Sequence, residues 1–326
     1  MTLSSDPGNG ISVIICAYTE KRWEKLVAAI QSIRSQTLPI AELVLVIDHN
    51  PGLYQRSCEA FPGVLVVENR ETRGLSGARN TGIRAAHGDL LAFLDDDAVA
   101  APDWLALLCE HFSDDTVLGV GGLSEPDWEA ERPAWFPEEF LWVVGCSYRG
   151  LPQQIAAVRN PLGGCTCWRR EVFITVGNFD STLGHVGSLP AGCEETELSI
   201  RATQRWPGRK FLYDPRSRIF HFVPQARARF SYFRSRCYAE GISKAGVTRL
   251  VGPADGLSAE RSYTFKTLPA GFLRGLADFF SGDFGGLGRA GAIFLGLAFT
   301  ALGYLVGRVQ QRLAGNVLQE KPGLSL

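Results

Sequence analysis

The sequence predicts an α/β fold: a mainly parallel, Rossmann-like sheet flanked by helices, followed by a hydrophobic helical extension at the C-terminus. Three observations predict it. Apolar, strand-like runs alternate with helix-length stretches from Ile11 to Gly88. Three of these runs end in polar clusters, at residues 18–20, 48–50 and 95–97, where an open α/β sheet places its ligand site. Near the other end of the chain, residues 290–307 form an 18-residue stretch without a charge.

Residues 11–17 (ISVIICA) are continuously apolar and β-branched, the pattern of a strand buried on both faces. Leu26, Ala29, Ile30 and Ile33 then recur at helical spacing within residues 21–36. A second strand over residues 43–47 ends at Asp48, and a third is expected over 64–67 after another helix-length stretch. Gly74 opens a loop into a helix over residues 76–86, with Gly88 expected as its C-terminal cap. The fourth strand delivers Asp95, Asp96 and Asp97. Such a cluster of carboxylates at a strand end is costly unless a cation meets it, and hard divalent ions take oxygen ligands beside substrate phosphates.

After Gly119–Gly122 the alternation weakens, and residues 126–142, rich in Trp, Pro and Glu, read as a long functional loop. Further on, the sequence predicts a turn into a strand over 160–168 and helices over 170–176 and 194–204. It also predicts a glycine-containing loop over 184–193, short strands over 211–213 and 217–222, and a helix over 230–250. The uncharged stretch 290–307 is bracketed by Arg289 and Arg308 and sits at the lower length limit of a spanning helix, which takes ~20 apolar residues. Before it, Phe272, Leu276, Phe279 and Phe280 are expected on one face, with Arg274 and Asp278 elsewhere, as in an interfacial helix. The alternative is a glycine-containing hydrophobic hairpin packed on the globular domain or in a dimer.

A formal net charge of −1 excludes a chain-wide nucleic-acid binder, although basic residues crowd the stretch from Arg201 to Arg249. The eight cysteines lack any CxxC pair and read as reduced thiols of a cytoplasmic protein. No secretory signal profile precedes residue 11.

With these elements placed, residues 11–222 resemble an inverting family 2 glycosyltransferase of the GT-A fold, with a mixed, mainly parallel sheet. The opening strand of that family leads into a base-holding loop whose Tyr and Glu match Tyr18 and Glu20, while Cys16 and Thr19 depart from it. Asp48 matches the first Asp of the second motif, which accepts a hydrogen bond from the base; His49-Asn50-Pro51 replace the rest. The stretch Gly74 to Gly82 is similar to the family's loop and helix before the metal strand, and Arg79 is a candidate for the base or diphosphate.

Asp95 and Asp97 match the DxD motif, with Asp97 implied as a direct metal ligand, Asp95 nearer the ribose and Asp96 behind them. Gly163, Gly164 and Arg169 fall in the segment that lines the sugar and acceptor side. Cys193 to Leu198 resembles Gly-Glu-Asp-x-Glu-Leu, whose third residue is the general base; that position is Glu195, with Glu194 left open as the alternative. His221 stands where some relatives carry a third metal ligand or a diphosphate contact, with a satisfied core or surface histidine as the alternative. Gln204-Arg205-Trp206 has the wrong spacing for the QxxRW of processive synthases.

The resemblance implies transfer of one sugar, with Mg²⁺ or Mn²⁺, from a nucleotide diphosphate sugar, UDP-linked by expectation, to an acceptor hydroxyl. A lipid-linked or glycolipid acceptor at the membrane surface is expected from the C-terminal segment, and no nucleic acid. The expected organisation is a flexible N-terminus at 1–10 and a catalytic domain at 11–250, with nucleotide-binding (11–125) and acceptor (126–250) halves. Membrane-associating helices at 266–312 and a polar tail at 313–326 complete it. A sugar-nucleotide pyrophosphorylase lacks support because its glycine-rich, Arg-containing loop is missing from residues 18–23; an inactive nucleotide-binding scaffold or membrane-assembly partner is the nonenzymatic alternative.

Overall fold

The computed structural model describes residues 10–183, 192–252 and 258–319. Most of the expected N-terminal segment 1–10, most of the 184–193 loop and the end of the 313–326 tail lie outside the described residues. Strand β1 (Ile11–Ala17) leads through a short 3-10 turn to helix α1 (Trp23–Arg34) and β2 (Glu42–Ile47). Asn50 caps α2 (Pro51–Ala60) by accepting from the Leu53 amide at 3.0 Å, with Pro51 at the first helical position. Then come β3 (Leu65–Glu68), α3 (Leu75–Ala85), β4 (Leu90–Asp95), β5 (Ala98–Ala100), α4 (Trp104–Cys109) and the 12-residue β6 (Val117–Trp128).

β7 (Ala156–Val158), β8 (Cys165–Arg169), α5 (Arg170–Val176), α6 (Glu194–Arg205), β9 (Lys210–Val223) and α7 (Phe230–Val251) complete the sheet-and-helix region. The C-terminal part holds α8 (Ser258–Ser262), a π-helical turn over Tyr263–Thr267, α9 (Leu268–Phe280) and the long α10 (Gly285–Gln319).

The strands form one sheet in the order β3-β2-β1-β4-β8-β6-β9-β5, with β7 pairing on β9. β1 to β4 pair in parallel, β8 runs antiparallel to β4 and β6, and β6 and β9 are parallel again. β5 and β7 run antiparallel to β9, so among the described residues four pairings are parallel and four antiparallel: the sheet is mixed, with its main parallel part in β1 to β4 and an apolar core on each face. One core sets Ile15, Leu45 and Leu94 under α1 and α4; the other sets Ile14, Phe93 and Trp168 under α3, α5 and α6. Alternate strand residues point to opposite faces, so a strand covered on both must read as a continuous apolar run, as 11–17 does.

Several expectations change. The expected strands 211–213 and 217–222 are one strand, β9, interrupted by a bulge: Gly122 pairs with Asp214 and the next residue, Leu123, with Arg218. The polar Asp214-Pro215-Arg216 that looked like a break is this bulge. Residues 126–128 of the expected loop finish β6, whose three glycines hid it, and the 125/126 boundary between the expected halves falls inside that strand. Gly88 does not cap α3. The helix ends earlier, with the Ala86 amide bonding the Gly82 carbonyl, and Gly88 donates to Ser12 Oγ at 2.8 Å beside β1.

In the C-terminal part, α9 buries Leu268, Gly271 and Gly275, half-buries Phe272 and leaves Phe280 84% exposed, so Phe272 and Phe280 do not share one buried face. α10 packs along α7 through small residues: a side chain at Gly303 would overlap the Tyr238 carbonyl, and one at Gly241 the Thr300 carbonyl. About a third of the apolar window in residues 285–313 is buried; Phe294, Leu302, Leu305 and Leu313 face outward together with Leu273 and Phe284. One face of α10 is packed on the protein and the other is bare apolar surface.

Candidate active site

The C-terminal ends of β1, β2 and β4 converge on a cavity of about 1600 Å³. Asp48 lines it and is held rigidly: Oδ1 accepts from Asn69 Nδ2 at 2.6 Å and sits 2.8 Å from His49 Nδ1, and Oδ2 accepts from the Gly74 amide at 3.0 Å. Tyr18 stands at the rim, 54% exposed, with the Arg22 guanidinium over its ring. Glu20 lies outside the cavity lining, in the 3-10 turn before α1 and next to Gly52.

Asp95, at the end of β4, and Asp97, just beyond it, meet His221 from β9. His221 Nε2 is 3.3 Å from Asp97 Oδ1 and 3.9 Å from Asp95 Oδ2, and one ligand atom from each of the three residues lies within 4.8 Å of the others. Burial disfavours charge on His221, but hydrogen bonds to Asp97 and Cys146 outweigh it and push its pKa up to about 10. For Asp97, burial raises the carboxyl pKa, yet His221 and Arg22 hold it well below the usual carboxylate range. Two carboxylates and an imidazole in this spacing fit a divalent cation, which would take the place of the proton shared between acid and base.

Asp96 is turned the other way. Its Oδ1 accepts from Arg22 Nη1 at 2.8 Å, and the same nitrogen lies 3.0 Å from Asp97 Oδ2. Burial and the neighbouring Asp97 charge push the Asp96 pKa to about 7. Asp96 therefore braces Arg22 behind the triad, a partnership with no sequence signal because the two residues lie 74 positions apart.

Arg79 is buried between the two halves of the site, with Nη1 2.9 Å from Glu194 Oε1 and Nη2 3.6 Å from Asp95 Oδ1. That pairing separates the two glutamates. Glu194 is spent on Arg79, whereas Glu195 lines the cavity without such a bond, and burial beside Glu194 raises its pKa to about 8. Both open α6, whose dipole favours acids in the first turn. Cys193, which stands at the glycine of the resembling motif, adopts φ 76°, the left-handed conformation that glycine takes without strain.

Gly164 is needed where it is: a Cβ there would overlap Asp95 Oδ2, and one on Gly163 would come within 3.0 Å of Arg79 Nη1. Gly164→Ala is expected to displace Asp95 and weaken Mn²⁺ binding about 10–100-fold, the usual effect of disturbing the support of a ligand, as read by titration of the metal into the protein. Arg169 does not reach the cavity. Its guanidinium donates to the Val117 and Phe112 carbonyls at 2.8 and 2.7 Å and fastens β8 to the loop before β6. Nor do Arg205 and Trp206 line it.

The sequence reading missed a second charged group on the far wall. Arg236, Glu240 and Lys244 form a ladder along α7, and Lys244 and Arg159 converge on Glu260. Their i, i+4 spacing within the basic stretch was the available signal.

The sequence profile of glycosyl transferase family 2 matches residues 12–177. The chain is 34% identical over 238 residues to a glucosyl-dolichyl phosphate glucuronosyltransferase of Haloferax volcanii, covering 72% of this chain and 76% of that one. Among solved structures, it resembles the mannosyltransferase PcManGT of Pyrobaculum calidifontis, in complex with GDP-Man and Mn²⁺, at a TM-score of 0.58 and 20% identity, over 96% of this chain and 90% of that one. It also resembles GalNAc-T7 with UDP, GalNAc and Mn²⁺, at a TM-score of 0.52 and 22% identity, over 78% and 54% of the two chains. With the mixed sheet and the sequence match in agreement, the chain belongs to glycosyl transferase family 2 and is a glycosyltransferase of the GT-A fold.

Proposed function

We propose that this enzyme transfers a single sugar, with inversion, from a UDP-sugar to a hydroxyl of a lipid-linked acceptor at a membrane surface, using Mn²⁺. The observation that carries the reading is the shared cavity: the Asp95–Asp97–His221 cluster and Glu195 open into one space, with buried Arg79 fixed between them. Asp48, as an anchored carboxylate acceptor, suits a base that presents an imide N–H, as uracil does, and Tyr18 offers a ring at the rim. The imidazole in the ligand set favours Mn²⁺ over Mg²⁺, which prefers oxygen ligands alone. When bound, the cation would neutralise the departing diphosphate.

Glu195 is the base that removes the acceptor proton as the hydroxyl attacks the anomeric carbon. Its raised pKa near 8 makes it a better proton acceptor than an ordinary carboxylate, and Arg79 keeps Glu194 from competing. The outward apolar face of α9 and α10 supports binding in the membrane interface. Because α10 is fastened to α7 through Gly303, the catalytic region lies alongside the helix, an arrangement suited to an interfacial element.

The test is incubation of the full chain with glycolipid vesicles, Mn²⁺ and a panel of UDP- and GDP-sugars. Nucleoside diphosphate release, product anomer and vesicle co-flotation are measured. Release from a UDP-sugar with an inverted product on floated protein is expected. No release from any donor sinks the reading, a retained anomer removes Glu195 as base, and preference for a GDP-sugar reassigns Asp48's partner.

A further inference from the structure

Beyond Glu195 the cavity wall changes character, and its chemistry follows a definite order. Nearest the base is the ladder on α7: Arg236 Nη1 donates to Glu240 Oε2 at 2.8 Å, and Lys244 Nζ lies 3.2 Å from Glu240 Oε1. Lys244 also donates to Glu260 Oε1 at 2.6 Å, and Arg159 donates to both Glu260 oxygens at 2.6 and 3.1 Å. All five residues line the same cavity as Glu195 and the metal triad. Farther out, the lining becomes Leu297, Ala301, Tyr304 and Leu305 of α10, and Leu305 is also part of the bare apolar face.

The ladder is close to the reaction centre. Cys193 Sγ donates to Glu240 Oε1 at 3.3 Å, and a side chain at Gly192 would come within 3.0 Å of Arg236 Nη2. The backbone that presents Glu194 and Glu195 therefore rests directly on Arg236 and Glu240. Arg236 and Lys244 face Glu240, and Lys244 and Arg159 face Glu260, so cations and carboxylates alternate along this wall. Arg236 carries the unspent donors. Among the described residues its one side-chain hydrogen bond uses Nη1, and its guanidinium lies over Trp142 at 5.6 Å. A guanidinium with spare, fixed donors, on the same helix and cavity wall as the Lys244 ammonium, matches a phosphodiester, which is anionic and accepts in the plane that a guanidinium offers.

We propose that Arg236 and Lys244, with Arg159 behind them, form a subsite for a phosphodiester that joins the acceptor sugar to its apolar anchor. In this assignment the hydroxyl lies at Glu195, the sugar beside Trp142, the phosphate on the α7 ladder and the lipid on α10. This deepens the proposed function and rests on its acceptor side; it makes the acceptor a sugar phosphate lipid rather than a neutral glycolipid.

Binding to the full chain is measured without donor, so that the result does not depend on transfer. The probes are a hexyl glucosyl phosphodiester, hexyl glucoside and inorganic phosphate. The diester is expected to bind at least about tenfold tighter than the glucoside, as a charge-assisted contact should give, with the preference lost in Arg236→Gln and in Lys244→Gln. Equal binding of diester and glucoside by the wild-type chain overturns the subsite, whether or not either variant folds. A preference that survives in both folded variants does the same. Inorganic phosphate binding as tightly as the diester shows an anion site unrelated to the acceptor. An enzyme that releases no nucleoside diphosphate yet prefers the diester would lose the proposed reaction and keep the subsite.

Discussion

Replacing Glu195 by Gln is expected to lower the transfer rate by about 10²–10⁴, the range that a positioned general base supplies, while donor binding is retained. Gln fills the same space and cannot take the proton. The pH dependence gives an independent check. Glu195 works only as the carboxylate, and burial beside Glu194 raises its pKa to about 8, so kcat/KM of the wild-type enzyme should rise with pH and level off above that value. The variant should lose this limb. Glu194→Gln should act differently, because Glu194 is the 2.9 Å partner of Arg79: it removes a brace and leaves the Glu195-dependent limb in the profile. Measured profiles of the two variants distinguish base from brace, and an unchanged limb in Glu195→Gln would discard the assignment.

Asp97→Asn should cost at least about 10³ in rate, since the charge stabilisation of a metal site amounts to several kcal/mol and each 1.36 kcal/mol is a factor of ten. The fold should survive. Asn keeps an oxygen toward His221, and Arg22 keeps its 2.8 Å bond to Asp96, so the melting temperature should fall far less than activity. Mn²⁺ binding, read by the paramagnetic signal of the free ion, should weaken in parallel with rate. Asp96→Asn is the control. Its carboxyl faces Arg22 rather than the triad, so a smaller effect is expected. A wild-type rate in Asp97→Asn with normal Mn²⁺ affinity would refute the metal reading.

The first half of the fold was legible because β1, β2 and β4 are buried on both faces and so announce themselves as unbroken apolar runs. β1 and α5 have the bounds that the residues implied. Legibility failed where a strand is built from residues that also make turns: the glycines of β6 and the Asp214-Pro215-Arg216 bulge of β9. The site divides in the same way. Asp48, Asp95 and Asp97 lie at ends of strands that the pattern located, so their convergence followed from topology. Arg22 on Asp96 and Arg159 on Glu260 are contacts between distant segments, and nothing local marks them. The uses of Arg79 and Arg169 differ for the same reason, since only the fold reveals which of two similar arginines points inward.

The β9 bulge has one further consequence. Three residues, 215–217, stand on β9 where β6 has none between Gly122 and Leu123, and an odd insertion exchanges the faces of everything beyond it relative to its neighbour. The bulge is pinned at both ends, by His111 and Arg216 on buried Asp214 and by Ser217 on the Trp104 carbonyl at 3.0 Å. His221 lies four residues past Ser217, so the orientation of its ring is counted out along the chain from this anchor. Loss or gain of a single residue there would rotate an imidazole away from two aspartates that it leaves untouched. Length polymorphism is thus forbidden at a site that looks, in sequence, like an ordinary permissive turn.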